Sequence, residues 1–219
     1  MAVVQHPSGI DQKIVDKVVA RRGSLYAFPS LNPVKTALIV IDLDMGTGRD
    51  DPVLRARIID NVNTLANRVR VRGGVVAWIT TPIHVPTENF RAVFGGAQTN
   101  RYEQQAATGV SQSIWPELNT HDTDIRATKE GHSAFLPGRS NLHEQLQALD
   151  IESLLIVGAV TNVCCEASAR DAAELQYKVT MISDACIGWS ENQDAATFAT
   201  FFRCYGDVRP TQGVLELFV

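Results

Sequence analysis

The sequence lacks any apolar run long enough to cross a bilayer. Its longest such stretches, Leu38 to Ile41 and Leu154 to Val160, fall far short of the ~20 residues a spanning helix needs. A membrane partner is therefore not expected. MAVVQHPSGIDQK likewise lacks an apolar core behind a basic leader, which points to the cytosol. Positive charge is not in excess: 20 Lys and Arg face 24 Asp and Glu, and a net charge of −4 repels polyphosphate rather than collecting it. Nucleic acid is not expected as a partner. The four cysteines, 164, 165, 186 and 204, have no C-x-x-C spacing, and a bridge between the neighbours Cys164 and Cys165 would strain the linking peptide. All four are expected as free thiols. His84, His121, His132 and His143 share no ligand spacing on a common element, so no metal is expected.

What is present is enough apolar material for a buried core. With 45% hydrophobic residues in 219, the chain can bury roughly 70% of its unfolded surface. One domain over residues 1–219 is the expectation. Residues 1–33 read as a charged arm packed on the body, with Pro29 and Pro33 ending any helix before the first strand.

Thr36 to Asp42 is a continuous apolar run ending in an acid, the pattern of a central parallel strand covered on both faces. From Asp51 to Arg70 the residues Val53, Leu54, Ile58, Val62, Leu65 and Val69 recur at three and four, a helical period stopped by Gly73-Gly74. Strands then follow at 74–80, 124–128, 153–159 and 177–183, with helices at 141–149, 163–175 and 194–204, and 214–218 closes the series. Such alternation gives right-handed parallel crossovers and a three-layer α/β/α sandwich on a mainly parallel, about six-stranded Rossmann-like sheet. The stretch from His84 to Asp122 shows little periodicity and reads as an irregular insertion, a lid or a subunit contact.

In an open α/β sheet the ligand crevice lies outside the carboxyl ends of the strands. Three polar positions end apolar runs there: Asp42, Lys129 before Gly131-His132-Ser133, and Cys164 in the link between a strand and a helix. A helix starting near Asn162 or Val163 would put the Cys164 thiol at its N-terminus, where unpaired N–H groups favour a negative sulfur and lower the thiol pKa. Singly, these positions fit a buried apolar cysteine, a turn-capping acid and a solvated amine. Together, an acid, a lysine and a thiol projected into one crevice point to nucleophilic catalysis.

Ile39-Val-Ile-Asp42, Lys129-Glu-Gly-His-Ser-Ala-Phe135 and Gly158-Ala-Val-Thr-Asn-Val-Cys-Cys-Glu-Ala-Ser-Ala-Arg-Asp-Ala172 resemble, in order, the signature segments of the isochorismatase-like cysteine hydrolases. The likeness runs over about 35–218, and the arm together with Phe202 to Val208 looks most like the ureidoacrylate amidohydrolase branch. The resemblance implies a cysteine-dependent amidohydrolase without cofactor, acting on a small amide, ureido or carbamoyl compound. Cys164 would be the nucleophile, Asp42 the general base and later acid, and Lys129 the cation holding both. The family's cis peptide would fall at Ala159-Val160, and the backbone N–H groups of Val160 and Cys164 would form an oxyanion hole. A homo-oligomer, dimer or tetramer, is implied as well. Where relatives usually read Asp-Met-Gln-Asn, this chain reads Asp42-Leu-Asp-Met45, so Asp44 either faces the pocket and favours a cationic or donor-rich substrate or caps the Gly46-Thr-Gly48 turn. Asp44, His84, Phe135 and Asn162 are the candidate substrate contacts. Two other readings stand beside the amidohydrolase: a vinyl ether hydrolase of the isochorismatase type, and a silent family member used in assembly or binding.

Overall fold

Thr36–Ile41 forms β1, and all six of its residues are buried, as a strand covered on both faces requires. Ala37, Ile39 and Ile41 point into one core, Leu38 and Val40 into the other. β2 (Val75–Thr80), β3 (Ile125–Thr128), β4 (Ser153–Ala159), β5 (Lys178–Ile187) and β6 (Asp207–Arg209) complete a sheet of order β3-β2-β1-β4-β5-β6, parallel at every pairing. The coordinates are a computed structural model, and the structure describes residues 5–44, 51–82, 86–108 and 113–218.

One face of the sheet is covered by α2 (Pro52–Val71) and α7 (Thr211–Leu215). α2 begins where the Asp51 carboxylate accepts the Val53 and Leu54 N–H groups, with Pro52 in its first turn. It buries Leu54, Ile58, Val62, Leu65 and Val69, the periodic set apparent in the sequence, whereas Val53 is exposed. The other face is covered by α1 (Gln12–Arg22), α4 (Leu142–Ala148), α5 (Glu166–Glu174) and α6 (Glu191–Cys204), through Val15 and Val18, Leu142 and Leu146, Ala169 and Ala172, and Phe198, Phe201 and Phe202. The result is the three-layer α/β/α sandwich expected. Among the described residues no helix is long and apolar enough to cross a membrane.

The charged lead-in packs on the body through α1, whose N-cap Asp11 accepts the Lys13 N–H and whose Val15 and Val18 are buried. Two local expectations need correction. The 84–122 stretch contains α3 (Glu88–Thr108), a helix interrupted at Gly95, where φ is 72°. Its periodicity is weak because Thr99 is its only buried position among the described residues. The segment 214–218 is not a strand: it continues α7 into a short 3-10 turn, and the sixth strand is Asp207–Arg209, too short to show as an apolar run.

β1 and β4 bring the functional ends of the sheet together, and Gly158 makes that approach possible. A Cβ at Gly158 would lie 2.1 Å from the Ile41 carbonyl oxygen, and its φ of 124° is a conformation other residues rarely adopt. Ile41, the partner of Gly158 in the β1–β4 register, immediately precedes Asp42.

Candidate active site

Asp42 leaves the end of β1 with φ 48°, a left-handed conformation in which aspartate is enriched, and its N–H donates to the Ile79 carbonyl at 3.0 Å. Lys129 follows β3, and its N–H donates to the Thr80 carbonyl at 3.0 Å. Cys164 comes from the link after β4. The three side chains meet. Lys129 Nζ is 2.7 Å from Asp42 Oδ2 and 3.4 Å from Cys164 Sγ. Nζ also donates to the Gly131 carbonyl at 3.0 Å and to Thr81 Oγ1 at 2.9 Å, while Thr81 Oγ1 donates to Asp42 Oδ1 at 3.1 Å. Each of the three ammonium protons thus has acceptors at hand, and both carboxylate oxygens are engaged. Asp42 is 6% and Lys129 2% exposed, so the pair lies in a low-dielectric setting where each charge needs the other.

That setting governs the titration of the thiol. Burial, the largest cause, pushes Cys164 up to about 12; the Asp42 charge pushes the same way, and the Lys129 ammonium opposes both. The expected lowering of the thiol pKa is therefore reversed in the resting site, where sulfur carries its proton and offers it to Asp42. The cause is local: helical backbone starts at Thr161, and Cys164 sits inside a π-helical turn, Thr161–Cys165, that precedes α5, with its sulfur turned into the buried cluster. For Lys129, burial works to lower the pKa, but the Asp42 carboxylate and Cys164 outweigh it and the net shift is upward. The ammonium stays charged.

The Ala159-Val160 peptide is cis. The Val160 carbonyl accepts the Val163 and Cys165 N–H groups at 3.0 and 3.2 Å, which ties the start of the turn to the end of β4. Asn162 is half-buried beside Cys164, and its Oδ1 has no hydrogen-bond partner among the described residues. Asp44 is 2% exposed; its carbonyl accepts the Trp115 indole N–H at 2.7 Å, and its backbone bridges to Ile114. Phe135 lies in the hydrophobic core, against which Cys164 also packs, with its ring 5.9 Å from that of Tyr177. His84 and the Gly46-Thr-Gly48 turn lie outside the described residues.

Three residues escape a reading that looks for acids, lysines and thiols. Thr81, the first residue after β2, bridges Lys129 and Asp42, and only its place at a strand end could signal it. His132, whose spacing offers it as surface or pocket lining rather than as a metal ligand, places Nδ1 4.0 Å from Cys164 Sγ. Tyr102 on α3 is half-buried; burial first, and then the Asp44 charge, raise its phenol, with smaller contributions from Asp42 and Cys164. α3 therefore passes within electrostatic range of the cluster. Phe90, on the same helix, packs its ring at a tilt against those of Phe94 and Tyr102, with centroids 4.5 and 4.9 Å away. Cys165 and Cys186 are buried and Cys204 is exposed, all as free thiols. Among the described residues no group of three or more His, Cys, Asp and Glu side chains is arranged to hold a metal ion.

The model of the isochorismatase domain matches residues 36–213, from the first residue of β1 to α7. The chain belongs to the isochorismatase family. Within the isochorismatase family it is 28% identical over 186 residues to an uncharacterised member from Bacillus subtilis, covering 83% of this chain and 93% of that one. To a ureidoacrylate amidohydrolase of Klebsiella pneumoniae it is 26% identical over 209 residues, covering 82% and 86%. Among solved structures, a cysteine hydrolase from Pseudomonas syringae superimposes with a TM-score of 0.73 at 22% identity, covering 88% and 96%. An N-carbamoylsarcosine amidase from Thermoplasma acidophilum superimposes with a TM-score of 0.63 at 17% identity, covering 81% and 96%. Both superpositions bear on the isochorismatase fold.

Proposed function

We propose that this isochorismatase-family protein is a cysteine-dependent amidohydrolase that cleaves a C–N bond of a small amide, ureido or carbamoyl compound through a thioester. The observation that carries the reading is Lys129 Nζ, held 2.7 Å from Asp42 Oδ2 and 3.4 Å from Cys164 Sγ at the carboxyl rim of a parallel sheet. The amidohydrolase names among its relatives support the choice of bond.

Asp42 takes the proton of the Cys164 thiol as sulfur attacks the carbonyl carbon, and Lys129 compensates the charge that moves between them. The tetrahedral oxyanion is met by the backbone N–H groups of Val160 and Cys164. Collapse expels ammonia or an amine, which carries away the proton held by Asp42, and leaves an acyl group on sulfur. Water then releases the acid and restores the thiol. A thiol that rests protonated suits this sequence, because the proton needed by the leaving nitrogen is stored in the site until substrate arrives. The vinyl ether reading gives the thiol no comparable task. α3, with Val93 76% and Phe94 46% exposed, serves as the lid or subunit contact of an oligomeric, cytosolic enzyme.

The test is an ammonia-release screen over ureidoacrylate, N-carbamoyl amino acids, biuret and nicotinamide, with simple lactams followed by their ring opening to amino acids, run beside Cys164→Ala. The variant should fold and lose all turnover. Undiminished ammonia release from Cys164→Ala would remove the reading.

A further inference from the structure

The mechanism above uses the buried side of the sulfur and leaves its other side unassigned. Asp42 and Lys129 are both less than a tenth exposed, whereas His132, in the turn three residues after Lys129, is exposed and directs Nδ1 to within 4.0 Å of Sγ. The two sides differ in what they can do next. Once sulfur carries an acyl group, the carbonyl carbon to be attacked is one bond further on, and water has to approach it with a base in reach. Asp42 lies on the buried side of the sulfur, with Oδ2 on Lys129 and Oδ1 accepting from Thr81. A nitrogen 4.0 Å from sulfur is distant for direct proton transfer, yet a water hydrogen-bonded to Nδ1 from the side can reach a carbon bonded to that sulfur. Histidine is also the side chain that exchanges protons most readily near neutral pH.

We propose that His132 is a further catalytic residue, the general base that activates the water which hydrolyses the thioester; the proposal rests on the reading of Cys164 as nucleophile. With its own proton on Nε2, the ring accepts a water proton at Nδ1 as the water oxygen bonds to the acyl carbon. The C–S bond then breaks, and its electron pair returns to sulfur, where Lys129 meets the charge. The imidazolium returns its proton to the thiolate through a second water that bridges the 4.0 Å between them, so that acyl group plus water give a carboxylic acid and the resting thiol. Acylation belongs to the buried acid and deacylation to the histidine at the mouth, and the two half-reactions become separable by mutation.

The test needs no natural substrate. p-Nitrophenyl acetate acetylates a nucleophilic thiol with release of coloured nitrophenolate, so a burst reports acylation and the slower rate after it reports hydrolysis of the acetyl-enzyme. Wild type, His132→Asn and His132→Ala are compared, with Cys164→Ala as the blank. Both His132 variants should keep a burst of about one nitrophenolate per chain while the rate after the burst falls by about 100-fold, the scale of a positioned general base. Acetylated Cys164 should then accumulate in the intact mass, and hydroxylamine, which attacks thioesters without a base, should restore turnover. Post-burst rates within twofold of wild type in both variants would overturn the proposal, as would a fall in burst and steady rate together, the mark of a side chain that only positions the sulfur. If wild-type Cys164 is never acetylated, the nucleophile reading fails and takes this inference with it; a normal burst with no effect of His132 removes this inference alone.

Discussion

The Lys129 ammonium and the Asp42 carboxylate stand 2.7 Å apart at the sheet rim, the first 2% and the second 6% exposed. Breaking such a pair from one side leaves a buried charge without compensation, at a cost of about 3–5 kcal/mol. Lys129→Met should therefore lower stability by roughly that amount in urea unfolding followed by tryptophan fluorescence. Adding Asp42→Asn to Lys129→Met should recover most of the loss while turnover stays absent. A single variant as stable as wild type would show that the Asp42 charge is met by solvent.

The same pair sets the state of the thiol. Burial first and the Asp42 charge next hold the proton on Cys164 and push it up to about 12, against the pull of Lys129. Asp42→Asn removes the anion and leaves the ammonium facing sulfur at 3.4 Å. The Cys164 titration should move down toward the ordinary cysteine range, so alkylation by iodoacetamide near pH 8 should rise at least tenfold in the variant even though turnover is lost. Peptide mapping separates Cys164 from the exposed Cys204, which serves as the internal reference. Alkylation that slows in Asp42→Asn would mean that the carboxylate activates the resting thiol rather than holding its proton.

Much of this arrangement is legible in the sequence, because strands buried on both faces write themselves as unbroken apolar runs and their polar ends mark the crevice. Asp42, Lys129 and Cys164 stand at such ends, and the structure brings them together. Elements that bury little are not written in the same way. α3 has one buried position among its described residues, and β6 is only three residues long, so neither produces a period. The direction of the thiol shift is not legible in the sequence for a different reason: position relative to a helix start is a property of the local sequence, whereas burial of the sulfur beside an acid that follows β1 is set by the tertiary fold.

Gly158 permits the close approach of β4 to β1 just before Asp42. Gly158→Ala would put a methyl carbon 2.1 Å from the Ile41 carbonyl oxygen at a φ of 124°, and the obstructing atom is backbone in the middle of the sheet. The expected loss is about 4 kcal/mol or more, at the extreme of single substitutions. Urea midpoints measure it. A Gly158→Ala protein within about 1 kcal/mol of wild type would mean that β1 and β4 separate easily at the point where the site is built.

Far from the cluster, His6 gives the fold an acid-sensitive component. It is 5% exposed; its Nδ1 accepts the Ser8 N–H at 3.1 Å, and its ring meets that of Phe202 edge-on at 4.7 Å. Burial first, with Arg209 and Arg22 assisting and Asp207 opposing, lowers its pKa from 6.5 to about 4. The folded state therefore refuses a proton that the unfolded chain takes up below 6.5. The stabilising contribution is fully present above that value and is lost progressively as pH falls toward 4. His6→Gln keeps an acceptor for the Ser8 N–H but cannot titrate, so the fall in the urea midpoint between about pH 7 and 4.5 should be shallower in the variant than in wild type. Parallel pH profiles for the two proteins would show that His6 protonates equally in both states and that the ring does not lie in the buried setting beside Phe202.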